Sequence, residues 1–459
     1  MLLHQILTNL RILKFNLELP SNFAIALSAG SDSVVLSFIL RKLYPQAQIT
    51  ILTVNHHLRN NIQKELEFAE NFAKKLHAKF FLLEWLHNVN NSNIQSRARD
   101  ARYELLTTKC KELSISNLFV GHHQDDYVEN YIIRKDRKSS VLGLSPNYIN
   151  FINDIKILKP MFNLSKDQIL AFLNQNKLEF FQDHSNFSDK YKRNRVRKKL
   201  LLQNLKPQIL KKLKRIENFS RSLSNKLIIF IAKSIKIFNS GFAILNLQQI
   251  KNISSELKIQ LLIYVITMVS AKKHTPRYRN IQNLMHLLNT DMNVFEIRNI
   301  HGIVLEKFEK YIFFYKDYLK IPNQEENFKN FINISQFWDT RFHFHDKNHK
   351  SESNFNKNES QKDSFSLQIS SLYYFYNRYL KSKDNLYNFI KLFVQEHKLQ
   401  ELNLNRSLCK KILFSLPVIF NLEKSLIIPH INYWVCCKEK SFYTIFKPNF
   451  IFRFTHYYW

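Results

Sequence analysis

The segment SAGSDS, residues 28–33, lies between an apolar run and a pattern typical of a helix. Its Gly30 is one of only five glycines in the 459 residues. A polar turn between a strand and a helix is typical of a phosphate cradle, because backbone N–H groups at the helix N-terminus face the anion. Asp32 would repel phosphate unless a Mg²⁺ ion bridges them, and its alternative role is to cap the next helix. The chain contains neither G-x-x-x-x-G-K-[ST] nor G-x-G-x-x-G, the two common nucleotide motifs.

A second group of candidate residues lies in GHHQDDYVEN, residues 121–130. Glu129 is four residues from Asp125 and three from Asp126, so all three carboxylates can share a helix face. Such a patch can bind ammonium groups or a metal ion, or it can be ordinary acidic capping of a helix N-terminus. His122 or His123 is a candidate general base, and a structural histidine is the alternative for each.

Two basic segments complete the candidate chemistry. SRARDARY, residues 96–103, carries Arg97, Arg99 and Arg102, of which the last two share a helix face. Arginines there could neutralise charge at the α-phosphate of a nucleotide. KYKRNRVRKKLL, residues 190–201, predicts a basic helix suited to RNA phosphates. The alternative for both segments is a solvated charged face.

The elements that must position these residues alternate between strand and helix patterns. We predict strands at 23–27, 49–54, 80–85 and 117–120, and helices at 34–43, 66–80 and 96–113. This alternation indicates an α/β fold with a parallel sheet. Ligands of such sheets bind at the carboxyl ends of the strands, where the polar turns at 28–33, 55–59 and 121–126 all fall.

The remainder of the chain is less regular. We predict a catalytic domain at 1–205 and a mainly helical middle domain at 206–342, with a β-like stretch at 302–315. A polar segment at 343–369 is predicted to be a linker or exposed loop. Residues 370–459 return to apolar patterning and are predicted to form a small α+β C-terminal domain.

Composition restricts the class of protein. The net charge of +31 and the pI of about 9.8 favour a polyanionic partner, nucleic acid first, although an AT-biased genome also enriches lysine. Neither an apolar run of membrane-spanning length, roughly 18–20 residues, nor a signal peptide is visible. Cys110, Cys409, Cys436 and Cys437 form no C-x-x-C pair, which fits a reducing cytoplasm.

SAGSDS resembles the SGGxDS loop of the N-type ATP pyrophosphatases, or PP-loop family. Ser28, Gly30, Asp32 and Ser33 match, and Ala29 replaces the first glycine. The resemblance implies that residues 28–33 bind the pyrophosphate moiety of ATP.

Further segments resemble the tRNA(Ile)-lysidine synthetase family in the same order. They are VNHHLR (54–59), QSRARDARY (95–103), GHHQDDYVEN (121–130) and DHSNFSDKYKRNRVR (183–197). Weaker similarity continues in ISQFWDTRFHF (334–344) and over 389–420. The resemblance implies ATP-dependent ligation of free L-lysine to C2 of the wobble cytidine, position 34, of an isoleucine tRNA with a CAU anticodon. The reaction would pass through an adenylated cytidine and release pyrophosphate and AMP, as a ligase forming a carbon–nitrogen bond.

The resemblance also implies roles for individual residues. Besides the ATP-binding Ser28, Ala29, Gly30, Ser31, Asp32 and Ser33, the expected catalytic residues are Asp32, Arg97, His123 and Asp125, with Asp32 also holding Mg²⁺. Lysine is expected to contact Asp125, Asp126 and Glu129. The tRNA is expected to contact Arg193, Asn194, Arg197, Lys198 and Lys199.

Departures from the family pattern leave alternatives open. Ala29 replaces a glycine, Asn130 replaces a threonine, and RKSS (137–140) stands where R-G-S-G is usual, so Lys138 and Ser140 replace two more. We expect Gly30, which is retained, to be the strict position of the loop. The alternatives are another PP-loop tRNA-modifying enzyme, such as a thiolation enzyme with paired cysteines, and a degenerate tRNA-binding protein without activity. The sequence leaves the oligomeric state open, with a homodimer as one option.

Overall fold

A computed structural model of the chain describes residues 2–13, 15, 22–57, 62–86, 94–181, 195–197, 200, 204–272, 274–288, 294–321, 325–327, 337–346, 368–380, 383–402, 404–420, 426–431, 433–435 and 442–446. The chain divides into two compact units, the first built from Met1–Ser224 and the second from Asn225–Phe452. Among the helices that the structure describes, none is long and apolar enough to span a membrane.

The first unit contains a six-stranded sheet with the order β3-β2-β1-β4-β6-β5. Five of these strands are parallel, and β5 pairs antiparallel with β6 at the edge. The strands are β1 (Asn22–Ala26), β2 (Gln48–Asn55), β3 (Lys79–Glu84), β4 (Asn117–Phe119), β5 (Ile149–Ile152) and β6 (Ile155–Leu158). The predicted parallel α/β sheet is confirmed.

Helices cover both faces of this sheet. They are α1 (Leu2–Ile12), α2 (Ser31–Leu43), α3 (Gln63–Lys75), α4 (Ile94–Glu112), α5 (Gln124–Asp136), α6 (Val141–Leu144), α7 (Lys166–Gln175) and α8 (Lys206–Ser234). Phe23 and Ile25 of β1 pack into one core with α1, α2, α3 and α7, whereas Ala24 and Ala26 pack into a second core with α4. This division follows from the strand period of two, which sends alternate side chains to opposite faces.

The second unit contains three small sheets, with the orders β7-β8-β11-β10-β9, β12-β15-β16-β17-β18 and β13-β14-β19. The strands are β7 (Ile235–Ile237), β8 (Ala243–Asn246), β9 (Val294–Ile300), β10 (Ile303–Phe308), β11 (Tyr311–Lys316), β12 (Glu326–Asn327), β13 (Phe337–Trp338), β14 (Phe342–Asp346), β15 (Gln368–Ser371), β16 (Pro417–Phe420), β17 (Leu426–Ile428), β18 (Tyr433–Val435) and β19 (Phe442–Phe446). Its helices are α9 (Ser255–Ser270), α10 (Tyr278–Leu288), α11 (Leu372–Phe375), α12 (Lys383–Glu396) and α13 (Arg406–Phe414). The hairpin β10–β11 confirms the β-like stretch predicted at 302–315.

One hydrophobic core runs through the second unit, from Phe238 and Tyr315 to Phe393 and Ile431. The structure therefore divides the chain after Ser224, within α8, and the boundaries at 205, 342 and 369 remain predictions. Residues 343–346 of the predicted linker belong to β14, because they pair with β19. Residues 347–367 of that linker lie outside the described residues.

The WDTRF segment ties part of this core together. Arg341 is fully buried, its Nε donates to Asp339 Oδ2 over 2.8 Å, and its Nη2 donates to the Ser415 carbonyl over 2.7 Å. The guanidinium also lies 4.8 Å from the ring centroid of Phe342. Arg341 thus links the β13–β14 turn to the end of α13, which is a structural role.

Several residues other than glycine adopt a left-handed backbone. Ala29 has φ 55° and Lys138 has φ 53°, and both replace glycines of the family pattern. A Cβ atom in this region costs roughly 1–2 kcal/mol per residue. Replacement of glycine at these positions therefore causes local backbone strain.

We expect Lys138→Gly to stabilise the protein by about 1 kcal/mol relative to Lys138→Ala, because only the glycine variant relieves the left-handed strain. The alanine variant is the matched control, since both remove the charged side chain. Urea denaturation of the two variants measures the difference. Equal stabilities would show that position 138 is not strained.

Candidate active site

The loop 28–33 connects β1 to α2 and is held by its own hydroxyls. The Ser28 N–H donates to Ser33 Oγ over 3.1 Å, and Ser33 Oγ donates to the Gly30 carbonyl over 3.0 Å. The Phe181 N–H donates to the Ala29 carbonyl over 2.9 Å. Gly30 is the N-cap of α2 and, within the described loop, provides no side-chain cap. No side chain of the N-cap residue therefore covers the first N–H groups of α2, and a helix N-terminus of this kind suits an anion.

The loop reverses the expected roles of positions 29 and 30. Ala29 is buried and left-handed, whereas Gly30 has φ −72°, which any residue can adopt. A Cβ at position 30 would lie 3.7 Å from Ser28 Oγ, an ordinary contact. The expectation that Gly30 is the strict position is therefore wrong as far as the protein's own conformation is concerned. The conformational demand falls on Ala29, which carries the strain of the missing glycine.

Gly121 is the glycine that the site requires for close packing. A Cβ there would lie 3.1 Å from both Asp32 C and Ser33 N, closer than Cβ atoms normally approach backbone. The end of β4 thus presses directly on the first turn of α2. This contact brings the predicted turns 28–33 and 121–126 together.

Asp32 lies at the centre of the polar contacts in the loop region. Its Oδ1 accepts from Lys166 Nζ over 2.6 Å, and the same ammonium donates to Ser31 Oγ over 2.6 Å. Asp32 Oδ2 lies 3.6 Å from His123 Nε2. Lys166, in the first turn of α7, is a functional candidate that sequence reasoning missed.

His123 caps α5 and faces three carboxylates. The His123 Nδ1 accepts from the backbone N–H of Asp125 over 3.3 Å, and the backbone N–H of His123 donates to Asp126 Oδ2 over 3.0 Å. The two bonds form a capping box. Burial disfavours the imidazolium, but Asp125, Asp126 and Asp32 outweigh burial and raise the pKa of His123. His123 therefore has a structural role as the cap of α5, and the carboxylates around it favour its protonated form.

Asp125 is paired with cations from later elements. Burial would raise its pKa, but His123, Lys206 Nζ and the Lys166 N–H hold the pKa of this carboxyl well below its usual range. The Lys166 N–H donates to Asp125 Oδ2 over 2.8 Å. Lys206, at the start of α8, is a second residue that sequence reasoning missed.

Glu129 pairs with Arg197. The carboxylate is 2% exposed and accepts from Arg197 Nε over 2.5 Å and from Nη2 over 3.4 Å. The structure thus joins a residue predicted to bind lysine to one predicted to bind tRNA. Four further predicted tRNA-binding residues lie outside the described residues: Arg193, Asn194, Lys198 and Lys199.

The arginines of α4 and His122 lie around the same acidic turn. Arg97 and Arg99 are exposed on α4, and Arg99 and Arg102 are close enough to His122 to disfavour its protonation. Burial, reinforced by Lys159 and these arginines, lowers the pKa of His122 to about 3. His122 is therefore neutral near pH 7, and His123 is the better proton carrier of the pair.

The described side chains around the loop offer few ligands to a metal ion. Among the described residues, no group of three or more His, Cys, Asp and Glu side chains could hold one. Mg²⁺ typically needs only one or two protein carboxylates when substrate phosphates supply further oxygens. Asp32 fits that requirement, because its carboxylate borders the loop predicted to take pyrophosphate. The interpretation of HHQDD as a metal cluster of its own has no support among these residues.

Gly121→Ala and Gly30→Ala form a matched pair. We expect Gly121→Ala to lower stability by about 1–3 kcal/mol, because the new methyl would press on the backbone of the loop. Gly30→Ala should change stability by less than about 0.5 kcal/mol, since its methyl has room. Thermal unfolding measures both. Greater destabilisation by Gly30→Ala would contradict the packing described.

A second expectation concerns the buried carboxylate of Glu129. We expect Arg197→Met to destabilise the protein by up to about 3 kcal/mol, because it leaves a buried carboxylate without its guanidinium. The double variant Glu129→Gln/Arg197→Met should regain most of this loss. Denaturation of the parent, both single variants and the double variant completes the cycle. Additive losses would mean that the pair is not coupled.

The chain was also compared with known proteins. Residues 3–204 match the model of the PP-loop domain family. The chain is 33% identical to tRNA(Ile)-lysidine synthase from Rickettsia bellii (strain RML369-C), over 95% of this chain and 96% of that protein. It is 33% identical to the protein of the same name from Rickettsia typhi, over 95% of both. Identity to that of Rickettsia prowazekii is 32%, again over 95% of both. With a shared PP-loop domain and similarity along nearly its whole length, this chain belongs to the tRNA(Ile)-lysidine synthase family.

Proposed function

We propose that this protein ligates L-lysine to C2 of the wobble cytidine of a CAU-anticodon isoleucine tRNA, with ATP as the activating substrate. The observation that carries this proposal is the contact of the loop 28–33 with the acidic turn 122–126 at Gly121. This contact supports the proposal because it brings the N-terminus of α2, which we propose binds the pyrophosphate, close to carboxylates that we propose bind the lysine. tRNA and ATP are cytoplasmic substrates, and we assign the activity to the cytoplasm.

In the first step, the C2 oxygen of the cytidine attacks the α-phosphorus of ATP. The bond from that phosphorus to the bridging oxygen breaks, and pyrophosphate leaves. The N–H groups of Ser31 and its neighbours in the first turn of α2, together with Lys166 Nζ, would stabilise negative charge on the departing pyrophosphate. Arg97, Arg99 and Arg102 on α4 are the further cations proposed for the α-phosphate.

Mg²⁺ fits this scheme as an ion held by Asp32 and substrate oxygens. When bound, it would neutralise part of the charge of the phosphates. Lys166 neutralises Asp32 in the structure described, over 2.6 Å. The Asp32 carboxylate therefore already binds one cation, the Lys166 ammonium group.

In the second step, the ε-amine of lysine attacks C2, the bond from C2 to the oxygen of the adenylate breaks, and AMP leaves. The attacking amine must lose a proton. The imidazole of His123 is the proposed acceptor, because the neighbouring carboxylates raise the pKa of this histidine and stabilise the imidazolium that forms. Asp125 and Asp126 are proposed to orient the lysine, with Glu129 behind them in its pair with Arg197.

We expect Asp32→Asn to abolish lysidine formation and pyrophosphate release while leaving tRNA affinity within about threefold. The change removes the charge that serves Lys166 and the proposed Mg²⁺, and it does not remove a cation that RNA would contact. The parent and variant are incubated with ATP, labelled lysine and the isoleucine tRNA transcript, and the nucleosides are then analysed.

Asp154→Asn is the matched control, because Asp154 is an exposed carboxylate on the β5–β6 turn. It should keep parental activity. Lysidine formation near the parental rate by Asp32→Asn would remove Asp32 from the mechanism. A parent that makes no lysidine yet binds tRNA would favour the degenerate binder.

A further inference from the structure

A group of cations lies beside the acidic turn, at the end of β6. Lys159 directly follows this strand, is 6% exposed, and donates from Nζ to the Asn147 carbonyl over 2.6 Å. Arg134, near the end of α5, donates from Nη1 to the Gly143 carbonyl over 2.7 Å. Both accepting carbonyls belong to the connection between α5 and β5. Two cationic side chains from different elements thus converge on one short segment.

Arg99 of α4 joins this group. Burial and the charges of Arg99 and Arg134 lower the pKa of Lys159 to about 7, and Asp126 opposes them. Burial, reinforced by the charges of Arg99 and Arg137, also lowers the pKa of Arg134. The members of this cationic cluster are Arg99, Arg134 and Lys159, with Arg137 at its margin and Asp126 as the opposing carboxylate.

Placing several positive charges close together is unfavourable in the ligand-free protein. The hydrogen bonds to the carbonyls do not explain this arrangement, because such a bond needs only one cation. Lys156 on β6 makes the same kind of contact, from Nζ to the Leu13 carbonyl over 3.1 Å. Arg99 and Arg134 retain exposed surface, so the cluster is open to a ligand. A bound anion would attract each of these cations and so offset their mutual repulsion.

The cluster does not coincide with the loop 28–33. In the sheet, β4 lies between β1 and β6. Two strand spacings amount to about 10 Å, which separates the ends of β1 and β6. An anion at Lys159 would therefore be a different phosphate from one cradled at the start of α2.

We propose that Arg99, Arg134 and Lys159 form a second phosphate site, which binds a phosphate group of a nucleotide or nucleic acid substrate beside the acidic turn. The proposal rests on the proposed function in so far as ATP and tRNA are the two substrates that carry phosphate. It assigns a binding role to Lys159 and Arg134, neither of which the sequence motifs single out.

Lys159→Met tests the site, since methionine fills the space without the charge. We expect at least tenfold weaker binding of either tRNA, measured without ATP and lysine, or ATP, measured without tRNA. If tRNA supplies the phosphate, the slope of log affinity against log salt falls by about one. Ligand-free Lys159→Met should unfold at the parental temperature or higher, because a repelling charge is gone. Lys156→Met is the matched control and should change neither affinity by more than twofold.

Arg134→Gln is a second variant, on an exposed side chain, and should weaken the same ligand at least threefold. Unchanged affinity for both ligands in both variants overturns the proposal. A fall in the unfolding temperature of Lys159→Met with both affinities intact would assign Lys159 a purely structural role. Both binding assays are independent of lysidine formation, so a failure of the proposed reaction remains distinguishable from a failure of the phosphate site.

Discussion

The contact between Gly121 and the first turn of α2 is the constraint on which the site depends. A Cβ at position 121 would lie only 3.1 Å from Asp32 C and Ser33 N, so any side chain there would push against the backbone of the loop. The contact fixes the end of β4 against the loop that follows β1. His123 then caps α5 at a point where its Nε2 faces Asp32, and Asp125 and Asp126 follow in the first turn of α5. Without this approach, the anion-binding turn and the acidic turn would be separate features of two strands.

Glycine scarcity makes that constraint visible. With five glycines in the chain, many left-handed positions are filled by other residues, although Gly241 and Gly302 keep positive φ angles. Ala29 and Lys138 remain left-handed at a cost of roughly 1–2 kcal/mol each. Gly121 has no such substitute, because the obstacle there is another backbone and not its own dihedral angles. Ala29 adopts the left-handed backbone that glycine adopts readily, so alanine at this position is compatible with the loop as it is folded here.

The sequence predicted the first four strands and the helices between them, but not the complete site. Buried apolar runs and helical periodicity predicted β1 to β4 with α2 to α4, because each element carries its own pattern. The short strands β5 and β6 carry little pattern and were not predicted. The sequence also did not single out Lys159, Lys166 and Lys206, because little in their local sequence distinguishes them from other lysines. Only the fold brings Lys159 near Asp126, Lys166 to Asp32 and Lys206 to Asp125. The one available signal was the position of Lys159 directly after an apolar run, where parallel sheets place their ligands.

The chain has a net charge of +31, and its cations are distributed unevenly around the candidate site. Around the acidic turn, three carboxylates predicted to serve the reaction pair with a cation of the chain: Asp32 with Lys166, Asp125 with Lys206 and Glu129 with Arg197. A substrate ammonium that approaches Asp125 must therefore share or exchange a partner with Lys206. At Lys159 the reverse holds, because cations outnumber carboxylates and repel one another. The site thus sets carboxylates that already have cationic partners beside a group of cations whose mutual repulsion a bound anion would offset.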